Sequence, residues 1–287
     1  MCMQLNTVYV GFGGGSVLQL ANREHQQTMS YIIDTPDGKT VVIDGGHGEK
    51  YMGLEAQDMY RMLSERGKQV DLWLITHAHT DHFGALRFLL KTQKPFDLDI
   101  RDLRFDFPPI QWLETVENGS YACPVADFLQ LVQEANIPVT PLKRGDIISV
   151  GGITVEVLCD ASTYKKYRSI NDTTSVLRVS FPKRDLLFLG DIGAERARDL
   201  LNECPHNKLR CDIVQMAHHG QGGADRAFYE VVQPKVCLYT APDWLWDNDA
   251  GGGFNTGPWK TMLTRQWMEE LGAQVSLPLA YGDYLLK

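Results

Sequence analysis

One short stretch limits what this chain can become more than any other: Leu74-Ile75-Thr76-His77-Ala78-His79-Thr80-Asp81-His82-Phe83-Gly84. The apolar run Val70 to Ile75 reads as a buried strand. Three imidazoles and a carboxylate follow it within six positions, just before a segment of helical spacing. In an extended turn alternate side chains point the same way, so His77 and His79 can converge on one ion. Asp81 and His82 can face a neighbouring ion as the chain turns into the helix. Neutral imidazole and carboxylate are donors suited to zinc first, with manganese or iron as alternatives. A lone loop histidine is usually a surface residue, but this spacing behind a buried strand is that of a ligand cluster.

Further donors follow strand-like runs in the same way. Asp44 ends the run Val41 to Ile43, Asp191 ends Leu187-Phe188-Leu189-Gly190, and His218-His219 follows Ile213 to Met216. Each has a plainer alternative. Asp44 before Gly45 suits a turn, Asp191 can cap a helix beginning at Ala194, and His218-His219-Gly220 can be a polar loop. Their order along one chain favours the common explanation.

Short β-branched runs recur at Thr7 to Val10, Val17 to Leu20 and Tyr31 to Ile33, and Pro36-Asp37-Gly38 marks a hairpin turn. Later strands are expected at Leu98 to Phe105, Ile153 to Cys159, Ser175 to Val179, Leu186 to Leu189, Ile213 to Met216, Val236 to Tyr239 and near the C-terminus. Helices are expected at Glu55 to Arg66, Gly84 to Lys91, Val125 to Ala135, Ala194 to Asn202, Asp225 to Val232 and Trp259 to Leu271. Strands clustered in each half with helices between them predict two sheets face to face, helices outside: a four-layer αββα sandwich of the mixed α/β (α+β) class, one domain over 1–287. Asp247 to Pro258, rich in Gly and Asn, reads as an active-site loop rather than a linker.

A net charge of -8 argues against stable binding of double-stranded DNA, which needs a basic footprint. A phosphate-bearing substrate stays open, because bound cations supply local positive charge. The six cysteines, Cys2, Cys123, Cys159, Cys204, Cys211 and Cys237, form no CxxC pair, which favours reduced thiols. With no signal peptide and no apolar run of membrane-spanning length, the expectation is a cytoplasmic protein without membrane contact.

The His-x-His-x-Asp-His run resembles the signature of the metallo-β-lactamase superfamily. That resemblance implies the αββα fold, with metals between the sheet edges. It makes Asp44 a supporting carboxylate, Asp191 a bridge between two ions, and one of His218 and His219 a ligand. The chain is more closely similar to the hydrolase-like domain of ComEC-type competence proteins and its free-standing relatives. The matching segments are the opening glycines Gly11, Gly13 and Gly14, then Asn171-Asp172-Thr173-Thr174-Ser175, then His218-His219-Gly220. In that branch the Asn171-Asp172 position replaces a third family histidine, so Asp172 is a candidate ligand or water holder, with a turn role as the alternative. Two positions depart from the pattern: Gln221 stands where serine is usual, and Asn255-Thr256-Gly257-Pro258 lacks a His-Pro pair.

The resemblance implies hydrolysis by a metal-activated water, with one or two divalent ions bound. His77, His79 and Asp172 would hold the first ion, Asp81, His82 and His218 the second, with Asp191 shared. Asp81 and His219 are the expected catalytic residues, His219 as proton donor or charge stabiliser. The preferred substrate is a phosphoester, small or single-stranded and nucleotide-like, and Trp244, Trp246 and Trp259 offer faces for stacking a base or, alternatively, pin their loop. An ester, lactone or amide hydrolase is the second reading, and a non-catalytic metal-binding relative the third.

Overall fold

The computed structural model describes residues 5–21, 23, 25–48 and 53–287, so Cys2 lies outside the described residues. An eight-stranded sheet runs in the order Leu5–Val8, Asp283–Leu286, Ser16–Gln19, Ser30–Asp34, Thr40–Asp44, Leu72–Leu74, Leu103–Phe105, Val139–Pro141. A seven-stranded sheet runs Ile147–Val150, Ile153–Cys159, Val176–Ser180, Asp185–Phe188, Ile213–Gln215, Val236–Tyr239, Val275–Pro278.

The four layers follow from the period of two in a strand. Val41 and Ile43 point between the sheets, where they join Tyr31, Leu74, Val155, Val179 and Phe188. Val42, between them in sequence, faces the other way and packs with Trp73, Met59, Leu63, Phe83 and Phe128 under the helices Leu54–Glu65, Thr80–Thr92 and Ala122–Glu134. On the second sheet, Leu187 and Val214 turn outward to Leu200, Phe228 and Met268 of the helices Ala194–Glu203, Arg226–Val232 and Thr261–Glu270. Both faces of each sheet are covered, which is why these strands read as continuous apolar runs. The αββα expectation holds.

Two expectations change. The run Leu98 to Phe105 is not one strand. Asp99–Ile100 pairs with Gln69–Val70 in a separate small ribbon, and Leu103–Phe105 pairs with Leu72–Leu74. The sheets also divide by chain halves only up to the last strand. Asp283–Leu286 crosses back to lie parallel to Leu5–Val8 and antiparallel to Ser16–Gln19. Strand pairing is a non-local choice that local patterning does not encode.

Parallel pairing decides where chemistry can occur. Thr40–Asp44 lies parallel to Leu72–Leu74, and Asp185–Phe188, Ile213–Gln215 and Val236–Tyr239 are mutually parallel. Parallel strands place their C-terminal ends at one edge, so Asp44, the 76–82 turn, Asp191, His218-His219 and Thr240 emerge together.

Candidate metal centre

Two donor groups form where these loops meet. His77, His79 and Asp191 make one; Asp81, His82, Asp191 and His219 make the other, and within each group the donor atoms lie within 4.8 Å of one another. Asp191 belongs to both.

Four histidines of these groups are tied at one ring nitrogen and face the centre with the other. His77 Nδ1 lies 3.1 Å from Thr76 Oγ1, and His79 Nε2 lies 2.8 Å from Glu117 Oε2. His82 Nδ1 donates to Asp44 Oδ2 at 2.7 Å, and His219 Nδ1 lies 2.9 Å from Thr240 Oγ1 and 3.1 Å from the Thr240 carbonyl. Such outer partners fix the tautomer and rotation of metal-binding imidazoles. Asp44 also accepts from the Thr76 amide at 2.7 Å and the Thr76 hydroxyl at 2.8 Å. Asp44 itself belongs to neither donor group.

The loops are held as tightly as the rings. Buried Gln215 accepts from the amides of Leu189 (2.9 Å) and Gly190 (2.7 Å) and donates to the carbonyls of Gly190 (3.2 Å) and Met216 (2.6 Å). It therefore aims the turn that carries Asp191. His218 and His219 both sit in the left-handed region, with φ of 49° and 56°, a conformation that costs a non-glycine residue about 1–2 kcal/mol. The bond from the His218 amide to the Gly190 carbonyl (3.0 Å) helps hold it. Gly220 follows at φ +84°, where a Cβ would meet the Tyr239 ring at 2.3 Å, so only glycine fits.

The donor set fits divalent cations on two counts. His82 Nε2 and Asp191 Oδ1 are enclosed and 3.5 Å apart, and neither makes a hydrogen bond. Leaving such atoms unpaired is costly unless something else engages them. Charge makes the same demand. Burial pushes Asp81 and Asp191 up, but His82 and His219 outweigh it and hold both carboxylates below their usual range. Conversely, burial pulls His219 down, yet Asp191 and Asp81 push it up to about 9. His82 is likewise pushed up, against burial, by Asp44, Asp191 and Asp81. These carboxylates need positive charge beside them, and cations answer that need as well as imidazolium does.

His219, His218 and Asp172, also expected at the site, take three different positions. His219, expected as the proton donor, is 1% exposed with Nε2 only 3.2 Å from both Asp81 Oδ2 and Asp191 Oδ2. His218, expected as the ligand, is 34% exposed; its Nε2 stands 4.0 Å from Asp191 Oδ2 and 3.4 Å from the Asn171 amide nitrogen. Asp172 enters neither donor group, for its Oδ1 accepts from the Gly193 amide at 3.1 Å, at the start of the helix Ala194–Glu203. Asp172 thus supplies the helix-end contact considered for Asp191, and Asp191 is free to face the centre.

The tryptophans pin their loop. Trp246 is 7% exposed, edge-on to Tyr239 and covered by the Arg265 guanidinium 3.8 Å from its ring centre. Trp244 packs on Trp259 and donates to the His25 carbonyl at 2.7 Å. The 247–258 segment closes on itself through buried Asn248, which bonds Asn255 (2.9 Å) and the amides of Gly257 (2.6 Å, to its carbonyl) and Trp259 (3.0 Å).

Glu117, Gln215 and Thr240 carry no sign in the sequence of the contacts they make here. Glu117 comes from an irregular stretch far along the chain from His79. Nothing in its neighbours signals the contact.

This donor arrangement at the edge of an αββα sandwich defines a class, and comparison with known proteins agrees. The chain belongs to the metallo-β-lactamase superfamily, whose family model matches residues 23–271. It is similar to ComE operon protein 3 of Bacillus subtilis (strain 168), with 25% identity over 176 residues, which is 61% of this chain and 20% of that protein. The chain thus spans about a fifth of that curated relative's length. Among solved structures it is similar to the metallo-β-lactamase fold protein YhfI of Bacillus subtilis, at TM-score 0.55 and 10% identity over 95% of this chain and 99% of that one. CmlA, a diiron β-hydroxylase from Streptomyces venezuelae, is similar at TM-score 0.53 and 12% identity, over 96% of this chain and 54% of that one. At such identities the structural likenesses speak to fold alone. No helix among the described residues is long and apolar enough to cross a membrane.

Proposed function

We propose that this chain is a metal-dependent hydrolase whose preferred substrates are phosphoesters, small or single-stranded and nucleotide-like. The observation that carries the reading is the set of four imidazoles, each anchored at its outer nitrogen, around a carboxylate common to two donor groups. His77, His79 and Asp191 would hold one ion, and Asp81, His82, His219 and Asp191 the other. Zinc is the first candidate, with manganese or iron alternatives. When bound, such ions supply Lewis acidity and bring the pKa of a water from about 16 towards ~7.

The chain's own residues do the rest. Asp191 and Asp81 place negative charge where the ions collect, and Asp44, Thr76, Glu117 and Thr240 keep the rings from turning. His218, partly exposed beside Asn171, is positioned to meet the substrate and handle the leaving-group proton. The acidic surface favours short substrates, since a long polyanion would be repelled over most of its length.

Two measurements test the reading. Elemental analysis of protein purified without chelator should find one to two transition ions per chain, and the double substitution His77→Ala/His79→Ala should remove most of them. Full retention of metal there would overturn the assignment. Chromogenic phosphodiesters and short oligonucleotides should be cleaved with zinc, manganese or iron, and chelation should stop cleavage. Clear turnover of a lactone, ester or amide with no phosphodiester cleavage under any metal would move the substrate to that second class.

A further inference from the structure

The His79 ring is gripped from two directions by one segment. Nε2 lies 2.8 Å from Glu117 Oε2, and the Tyr121 ring packs 4.3 Å from the imidazole, leaving Nδ1 facing His77 Nε2 at 3.1 Å. Glu117 has no freedom to let go. Its second oxygen, Oε1, accepts from the Ile170 amide at 2.9 Å and from the Ser169 hydroxyl at 3.1 Å. Backbone strain sharpens the point. Glu117 and Asn118 are consecutive non-glycine residues at φ of 49° and 57°, held by the Gly119 amide on the Val116 carbonyl (2.8 Å) and the Ser120 hydroxyl on the Glu117 carbonyl (2.9 Å). Strain of this kind persists only where the surroundings over-determine it, and it gathers at functional sites.

An ionised carboxylate only accepts, so His79 Nε2 carries the hydrogen and Nδ1 keeps a bare lone pair. The Thr76 hydroxyl gives its one hydrogen to Asp44 Oδ2, so it accepts from His77 Nδ1, and His77 Nε2 is bare as well. Two lone pairs 3.1 Å apart beside the Asp191 carboxylate repel each other unless a proton or a metal ion lies between them.

We propose that Glu117 is a positioning residue of the metal centre: it fixes His79 in the tautomer and rotation that turn Nδ1 toward the ion, and ties that ring to the 169–173 turn carrying Asn171. The proposal rests on His77 and His79 being ligands. Glutamine at 117 cannot keep both sides. With its oxygen on Ile170, its amide donates to His79 and drives the proton to Nδ1; with its oxygen on His79, its amide meets the Ile170 N–H.

The test uses the full chain. Imidazole nitrogen spectra of the zinc-loaded protein should show His79 protonated at Nε2. Zinc affinity, read by competition with a chromogenic chelator, should fall about 10- to 100-fold in Glu117→Gln, while thermal unfolding of the chelator-treated protein stays near wild type. Unaltered zinc affinity in Glu117→Gln, or an Nδ1 proton on His79 in the wild type, overturns the proposal and leaves the metal reading standing. Wild-type protein that binds no zinc, manganese or iron overturns both. Affinity lost only in proportion to stability across Glu117→Gln and Glu117→Ala marks a structural role and counts against positioning.

Discussion

Asp44 offers the sharpest separation of support from bulk stability. It is fully buried at φ 57° and accepts from the Thr76 amide, the Thr76 hydroxyl and His82 Nδ1, all at 2.8 Å or less. Asp44→Ala strands three buried donors, each worth about 1–3 kcal/mol when unsatisfied. Removing the carboxylate also ends its own desolvation cost, so the net loss should be about 3–5 kcal/mol, as for other broken buried pairs. Asp44→Asn should behave differently. Asparagine tolerates the left-handed backbone, and its oxygen keeps the Thr76 amide. Its nitrogen faces Thr76 Oγ1 and His82 Nδ1, both able to accept, at a cost of about 1 kcal/mol for exchanging charged for neutral bonds. Accepting at Nδ1, however, moves the His82 proton to Nε2, which faces Asp81 and Asp191 at 3.6 and 3.5 Å. Zinc affinity in Asp44→Asn should therefore drop about 10- to 100-fold with the fold nearly intact. Urea unfolding of chelator-treated protein gives the first quantity and chelator competition the second. Equal destabilisation by both substitutions, or wild-type zinc affinity in Asp44→Asn, would refute the reasoning.

Asp191→Asn should empty most of the metal and abolish turnover, whereas Asp172→Ala should cost about 1 kcal/mol at the helix start it serves with metal content unchanged; elemental analysis beside denaturant unfolding distinguishes them. Trp246→Ala should lower stability by about 3–5 kcal/mol through lost packing without changing relative Michaelis constants for nucleotide and aryl phosphodiesters, and a selective rise for nucleotides would restore a base-stacking role. Asp106 is half-buried, and burial together with the Asp160 carboxylate pushes it from 3.8 up to about 6, against the Ala161 amide that bonds it. The folded state therefore binds this proton more tightly than the unfolded chain, so its contribution to stability falls as pH rises from about 4 to 6 and is level above. Asp106→Asn should flatten that part of the pH–stability curve, and an unchanged curve from pH 4 to 7 would count against the assignment.

Much of this protein is legible in one dimension, wherever the deciding physics is local. The alternation Val41-Val42-Ile43 sends side chains to two different layers because a strand has a period of two. His77, His79, Asp81 and His82 gather because they occupy one turn behind one buried strand. Even Asp191, distant in sequence, could be placed at the site because it too ends an apolar strand. What the chain order could not decide was every choice made between partners far apart. Whether His218 or His219 enters the centre depends on two adjacent left-handed residues and on Thr240, contributed by the neighbouring strand. Asp172 bonds the Gly193 amide, a partner visible only once the helix Ala194–Glu203 is docked. Glu117 reaches His79 from 38 positions away through a strained turn, and Asp283–Leu286 inserts beside the first strands by hydrogen bonds that any sequence can offer. Side-chain periodicity and residue chemistry are properties of the chain, whereas tautomer, register and which donor faces the centre are set by packing between elements that meet only in three dimensions.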